Sequence, residues 1–211
     1  MMKPFFSASA VAAWTSRVQL ATTVVVPQLH DPVLLAKALA TGDLGRAKAD
    51  VIRWAARVPA ARDILPALRE AIAGLYLRWY GVDLDPARVV ITPGSSGAFL
   101  LAFAALFDAG DRVAVGEPGY PSYRQILRAM SVEPVGMQTS ANNRYQPVPE
   151  DIPADVQGVM LASPGNPSGT MLGRAALSAL AERTRQIGAA LISDEIYHGL
   201  SYGERCVSAL E

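Results

Sequence analysis

The regular alternation of short apolar segments with longer helical segments is the feature that most constrains how this chain folds. Apolar residues at three- and four-residue spacing predict helices over residues 65–79, 98–107, 174–187 and in a segment ending near Met130. Short apolar runs predict strands at 89–91, 112–115, 134–137, 158–162 and 189–193. Strands that alternate with helices in this way build right-handed βαβ units on a mainly parallel sheet. The predicted fold class is therefore α/β.

The pattern divides the chain into two parts. The 211 residues are enough for one α/β domain and few for two. Residues 61–211 carry the alternation, whereas residues 1–60 carry no motif and only short helical stretches at 34–39 and 51–56 and a β-rich stretch at 21–28. Within the second part, the helix over 98–107 is apolar on nearly every face, which predicts burial on all sides.

Charge and cysteine content exclude several classes of protein. Nineteen basic and nineteen acidic residues give no net charge, so no electrostatic argument favours nucleic acid or an anionic membrane as a partner. The longest nearly apolar runs, 18–29 and 97–107, are shorter than the roughly 20 residues of a membrane span. A single cysteine, Cys206, excludes an internal disulfide and a cysteine-built metal site, so we expect no metal and a cytoplasmic protein.

Polar groups follow several of the predicted strands at their carboxyl ends, which is where open α/β sheets bind ligands. The small residues 94–97 stand between a strand and a helix, where free N–H groups and the helix dipole suit a phosphate, although a plain helix cap is the commoner use of such a turn. Tyr120, held between Gly119 and Pro121, could stack on a flat ligand or simply pack. Asn166 could form a turn or donate to a ligand oxygen.

The segment 191–198 supplies the last such group. Asp194 ends an apolar run, where a carboxylate is costly unless it has a cationic partner, although a helix cap is also possible. Tyr197 follows three residues later and could reach the same ligand or belong to the core. Taken together, four successive strand ends offer groups that suit one small, phosphorylated, aromatic and partly cationic molecule.

Four motifs in this order and spacing resemble the class I/II aminotransferases, which use pyridoxal 5′-phosphate and have the aspartate-aminotransferase fold. They are residues 92–98 (TPGSSGA), 117–121 (EPGYP), 163–169 (SPGNPSG) and 193–197 (SDEIY). The resemblance covers about residues 63–211. It implies a three-layer α/β/α large domain, present here incompletely, in a protein that is a homodimer at full length.

The resemblance also implies a role for individual residues. Ser95, Ser96 and Gly97 would bind the cofactor phosphate, and Tyr120 would stack on its pyridine ring. Asn166 and Tyr197 would hydrogen-bond the phenolic oxygen of the ring. Asp194 would pair with the pyridinium nitrogen and keep it protonated, so that the ring can stabilise the carbanion of an amino-acid substrate. The implied reaction transfers an amino group between an amino acid and a 2-oxo acid.

The chain departs from the family in its lysines. The Schiff-base lysine of the family follows the aspartate in a serine-rich motif, whereas Lys3, Lys37 and Lys48 all precede the first motif. We therefore predict no catalytic residue in these 211 residues and expect them to be inactive alone, which leaves their status as an enzyme open. Another chemistry of the same cofactor, such as a β-lyase, or a non-enzymatic aminotransferase-like domain remains an alternative.

Overall fold

A computed structural model describes residues 8–13, 19–25 and 64–211 of the chain. The helices are α1 (Ile64–Tyr80), α2 (Gly94–Leu106), α3 (Pro121–Ala129) and α4 (Arg174–Gln186). The strands are β1 (Ala8–Ala13), β2 (Gln19–Val25), β3 (Val89–Ile91), β4 (Arg112–Glu117), β5 (Glu133–Gln138), β6 (Gly158–Ala162) and β7 (Ala190–Asp194). Among the described residues, none of the helices combines the length and the apolarity that crossing a bilayer requires.

The described strands form one seven-stranded sheet in the order β3-β1-β2-β7-β6-β4-β5. From β2 to β5 every neighbouring pair is parallel, and only the pairs of β1 with β2 and with β3 are antiparallel. The predicted mainly parallel α/β sheet is confirmed. β5 contains Pro134 and is an edge strand of the described sheet. Proline has no backbone N–H, and on an edge strand its absence does not remove a hydrogen bond between strands.

Alternate residues of the central strands pack on opposite faces of the sheet, which explains their continuous apolar runs. In β4, Val113 and Val115 face α2 and α3, whereas Ala114 between them faces the side of α4. In β7, Ile192 packs on the same side as α2 and α3, whereas Leu191 packs on the side of α4. Helices therefore cover both faces, and the three-layer arrangement expected from the resemblance is present in the described residues.

Helix α2 differs from its prediction in two respects. It begins at Gly94 rather than near Ala98, because residues 94–97 already form its first turn. Ala98, Phe99, Ala102 and Phe103 are buried against the sheet and α3. The prediction that this helix is buried on all sides is wrong for the described part of the chain, because Ala105 on its outer face is exposed.

The N-terminal segment contributes to the sheet as well. The β-rich stretch predicted at 21–28 overlaps β2, which pairs in parallel with β7. The helical stretches predicted at 34–39 and 51–56 lie outside the described residues. The division of the chain at residue 60 remains a prediction.

Candidate functional site

Strands β4, β6 and β7 run parallel, so their carboxyl ends and the loops that follow them meet at one edge of the sheet. A cavity of about 110 Å³ lies at this edge. The residues that line it are Ser95, Tyr120, Tyr123, Ala162, Pro164, Asn166, Asp194, Ile196 and Tyr197. Five of the seven residues predicted to bind a cofactor are among them, and they come from four separate segments of the chain. The structure thus brings together residues that the sequence separates by up to about 100 positions.

Asp194, the last residue of β7, lies in this cavity with only 4% of its surface exposed. Its Oδ1 accepts a hydrogen bond from the backbone N–H of Ile196 at 3.1 Å. Its Oδ2 accepts a hydrogen bond from the Tyr123 hydroxyl. These donors hold the carboxylate in one orientation at the wall of the cavity, since each of its oxygens has a fixed partner.

Tyr123 is a residue of the site that the sequence reasoning missed. Its ring packs edge-on against Phe99 and Tyr120, with centroid distances of 5.0 and 5.4 Å. Burial, and then the neighbouring Asp194 carboxylate, raise the pKa of the Tyr123 phenol well above its usual range, so it stays a donor. Its position three residues after Tyr120, in the first turn of α3, could have indicated that both rings face the same way.

Asn166 and Tyr197 are neighbours in the wall of the cavity. The Asn166 amide Nδ2 lies 3.5 Å from the Tyr197 hydroxyl oxygen. The two residues belong to the loops that follow β6 and β7, so the short distance depends on the packing of those loops. A donor amide and a phenol at this spacing can both hydrogen-bond one ligand oxygen that lies beside the pair, at hydrogen-bond distance from each.

The first turn of α2 forms another wall of the cavity. Gly94 has φ of +79°, a conformation that glycine adopts without strain, and it turns the chain from β3 into the helix. Ser95 lines the cavity, whereas Ser96 is exposed and does not line it. Gly97 also lies outside the lining; a Cβ there would stand 3.4 Å from Pro93. The helix N-terminus and the Ser95 hydroxyl together suit an anion.

The loop that carries Tyr120 depends on a close backbone approach at Gly119. A Cβ at this position would lie 2.4 Å from the carbonyl oxygen of Gly116, a backbone atom that cannot rotate away. Gly116 itself has open space, because a Cβ added there would have no atom within 4 Å. The two glycines therefore form a matched pair for testing how tightly the loop is held.

We predict that Gly119→Ala lowers the free energy of unfolding by about 1–3 kcal/mol, because the added carbon forces the loop and the Tyr120 ring to move. Gly116→Ala should change it by less than about 0.5 kcal/mol. Urea unfolding of both variants measures the difference. Equal effects of the two substitutions would show that the close approach at Gly119 does not hold the loop.

A second group of buried polar side chains lies outside the lining of the cavity, and the sequence did not predict its hydrogen bonds. Glu195 is 1% exposed, and its carboxylate accepts hydrogen bonds from the hydroxyls of Ser193 and Ser208 and from the N–H of Ala209. His198 lies between the Tyr80 hydroxyl and the Ser163 carbonyl. These contacts join residues that are up to 118 positions apart in the sequence, so no local sequence pattern predicts them.

The cavity adjoins a larger open groove of about 570 Å³, with which it shares Pro164, Asn166 and Tyr197. This volume lies within the range of small-molecule sites.

Comparison with known proteins decides the family. The model of the family "aminotransferase class I and II" matches residues 58–210. The chain belongs to the class I and II aminotransferases. The match covers every segment that lines the cavity, and the family named from the four sequence motifs is confirmed.

Individual aminotransferases show how much of the family is present. This chain is 49% identical to a valine–pyruvate aminotransferase of Mycobacterium tuberculosis over 141 residues. The match covers 65% of this chain and 36% of that protein. Over 66% of its length this chain is 33% identical to an aspartate aminotransferase of Geobacillus stearothermophilus, again covering 36%. A solved aminotransferase from Mycobacterium tuberculosis shares 38% identity and a TM-score of 0.65, over 87% of this chain and 46% of that one. The chain thus spans about a third of the length of these curated aminotransferases.

A different family model, luciferase-like monooxygenase, matches residues 2–99. Half of that match lies outside the described residues, and it covers less than half of the chain.

Proposed function

We propose that this chain forms the cofactor-binding part of a pyridoxal-phosphate-dependent aminotransferase. The observation that carries the proposal is the shared cavity, in which the Asp194 carboxylate lies with Ser95, Tyr120, Asn166 and Tyr197. The aminotransferases to which the chain is similar support the same assignment.

The chemistry of the cavity wall fits this cofactor part by part. A hydroxyl at a helix N-terminus suits the phosphate, an aromatic ring suits stacking on the pyridine, and an amide with a phenol suits the phenolic oxygen. A buried carboxylate suits the ring nitrogen. Because these groups line one cavity, they are available to one ligand rather than to several.

When bound, pyridoxal phosphate supplies an electron-withdrawing ring that stabilises negative charge on the α-carbon of an amino acid. The residues of this chain bind and orient it. Asp194 would hold a proton on the ring nitrogen by charge pairing, and the hydrogen bonds from Tyr123 and the Ile196 N–H would keep its carboxylate in one orientation for that contact. Asn166 and Tyr197 would hold the phenolic oxygen and so orient the ring.

The proposed reaction transfers an amino group between an amino acid and a 2-oxo acid. The named relatives act on different substrates, valine with pyruvate in one case and aspartate in another, so the proposal stops at this substrate class. Both are aminotransferases, which favours amino transfer over a lyase reaction. For the whole protein we propose a cytoplasmic homodimer whose large domain includes residues 61–211.

Binding of pyridoxamine 5′-phosphate to the 211-residue chain tests the proposal. This probe keeps the ring, the phenolic oxygen and the phosphate but has no aldehyde, so it cannot bond to Lys3, Lys37 or Lys48. We expect saturable binding with one molecule per chain, measured by equilibrium dialysis. Pyridoxamine, which lacks the phosphate, should bind at least about tenfold more weakly, because it loses the contacts of the α2 N-terminus. No saturable binding, or equal binding of the two probes, would contradict the proposal.

A further inference from the structure

His198 occupies a buried position between three segments of the chain. Its side chain is only 5% exposed. Nε2 lies 2.9 Å from the carbonyl oxygen of Ser163, the first residue after β6. Nδ1 lies 2.5 Å from the hydroxyl of Tyr80, the last residue of α1. His198 itself belongs to the segment after β7, so its ring connects the two loops that carry Asn166 and Tyr197.

The partners of His198 determine which of its nitrogens carries the proton. A carbonyl oxygen can only accept, so Nε2 must donate to Ser163. Burial lowers the pKa of His198 to about 4, which leaves the ring neutral at pH 7 and makes Nδ1 an acceptor. The Tyr80 hydroxyl must then donate to Nδ1, and burial raises the pKa of that phenol well above its usual range, so it keeps its proton.

The contacts of Ser163 extend this connection to the cavity. Its backbone N–H donates to the carbonyl oxygen of Asp194 at 3.1 Å, and its hydroxyl accepts from the N–H of Leu172 at 2.9 Å. Ser163, whose carbonyl oxygen accepts from His198, is the first residue of a loop. Its hydrogen bonds connect this loop to Asp194 at the end of β7 and to Leu172 at the other end of the loop. A neutral donor at this carbonyl holds the loop of Asn166 against the loop of Tyr197.

Glu195 does not replace Tyr80 as the hydrogen-bond partner of His198 Nδ1. Its Oε2 lies 3.7 Å from Nδ1 of His198, beyond hydrogen-bond distance. Both Glu195 oxygens accept instead from Ser193, Ser208 and Ala209. The guanidinium carbon of Arg205 lies over the Tyr80 ring, 5.6 Å from its centre. The ring of His198 therefore has two hydrogen-bond partners, one on each nitrogen.

We propose that His198 is a positioning residue. The hydrogen bond from its Nε2–H to the Ser163 carbonyl holds the loops after β6 and β7 together, and we call this connection the His198 lock. The hydrogen bond from Tyr80 to Nδ1 keeps His198 in the Nε2–H tautomer. The lock sets the 3.5 Å spacing of Asn166 and Tyr197. This spacing matters for cofactor binding only if the proposed function is right, but the lock exists in the protein without any cofactor.

Three variants separate the parts of this lock. His198→Phe keeps a ring of similar size and removes both nitrogens. His198→Gln keeps a side-chain N–H that can reach the Ser163 carbonyl. Tyr80→Phe removes only the donor to Nδ1, and Tyr202→Phe, at a tyrosine that is 98% exposed, is its control.

The first readout is amide hydrogen exchange without cofactor. The N–H groups of Gly165, Gly169 and Leu172 bond within the loop after β6, and those of His198 and Leu200 bond within the loop after β7. We expect exchange at these amides to be about tenfold faster in His198→Phe, because the Ser163 carbonyl loses its donor, and close to the parent rate in His198→Gln. The nitrogen-15 shifts of His198 should show the Nε2–H tautomer, and Tyr80→Phe but not Tyr202→Phe should reduce its population.

The second readout is the affinity for pyridoxamine 5′-phosphate, which His198→Phe should weaken about tenfold and His198→Gln should restore. Unchanged exchange in His198→Phe, or equal acceleration in the Phe and Gln variants, would overturn the proposal. If His198→Phe does not fold, the tautomer readout decides: an Nε2–H population that is the same in Tyr80→Phe and Tyr202→Phe would overturn the proposal. A parent chain that binds no probe would overturn the proposed function, while the lock would still be judged on exchange.

Discussion

Asp194→Asn is expected to weaken the binding of pyridoxamine 5′-phosphate by about 100-fold or more. Removing one partner of a buried ion pair typically costs about 3–5 kcal/mol, and each 1.4 kcal/mol is about tenfold in affinity. The amide retains the local structure, because its oxygen can accept from the Ile196 N–H and its NH₂ can donate to the Tyr123 hydroxyl. The loss therefore reports the charge and not the shape of the site. Equilibrium dialysis of the parent and variant chains measures it.

Two further variants test whether this loss is specific. Asp83→Asn removes a carboxylate that is exposed and lies outside the cavity lining, and it should leave the affinity unchanged. Tyr123→Phe removes the hydrogen bond to Asp194 but keeps the charge, so it should cost about tenfold or less. A loss of less than about threefold in Asp194→Asn would mean that the carboxylate does not face the ring nitrogen, and the orientation proposed for the cofactor would be wrong.

The architecture was predictable because each element carries its own periodic pattern. The strands predicted at 89–91 and 158–162 have these same bounds in the structure, and those predicted at 112–115, 134–137 and 189–193 have bounds within two residues of the observed ones. The strand at 8–13 was not predicted. Both faces of the central strands are covered, so these strands appear in the sequence as uninterrupted apolar runs between helical segments. Such runs identify a mainly parallel sheet without any knowledge of its contacts.

The packing of individual faces was less predictable. The apolar sequence of α2 indicates that much of the helix is buried, but it does not show which face packs on the sheet and which carries the exposed Ala105. Contacts such as that of Tyr123 with Asp194, 71 residues apart, depend on the tertiary fold and leave no local signal. The seven predicted cofactor residues came from motifs, and their roles remain predictions even though five of them share one cavity.

Glu195 and His198 are expected to make opposite contributions to the pH dependence of stability. Burial raises the pKa of Glu195 from 4.5 to about 7, although the hydrogen bonds from Ala209, Ser208 and Ser193 oppose the shift. Burial lowers the pKa of His198 from 6.5 to about 4. Between about pH 4.5 and 6.5 the folded pair thus holds one proton on Glu195, and the unfolded pair holds one on His198. Their effects on the slope of the free energy of unfolding against pH therefore cancel in this range.

Glu195→Gln removes one half of this cancellation. In the parent chain Glu195 contributes most below about pH 4.5, and its contribution is lost as the pH rises through about 7. Relative to the parent chain, the variant should therefore gain about 3 kcal/mol in free energy of unfolding between about pH 4.5 and pH 7.5. The glutamine oxygen can accept from Ser193 and Ala209, and its NH₂ can donate to the Ser208 hydroxyl, so the packing is retained.

His198→Gln should show the opposite slope. The contribution of a neutral, buried imidazole is present above about pH 6.5 and is lost as the pH falls through about 4. This variant should therefore lose about 3 kcal/mol relative to the parent chain as the pH rises from about 4 to about 6.5. Urea unfolding at several pH values across this range measures both differences. Parallel curves for the parent chain and Glu195→Gln would mean that Glu195 is already ionised in the fold at acidic pH, because only a group that binds protons differently in the two states changes the slope.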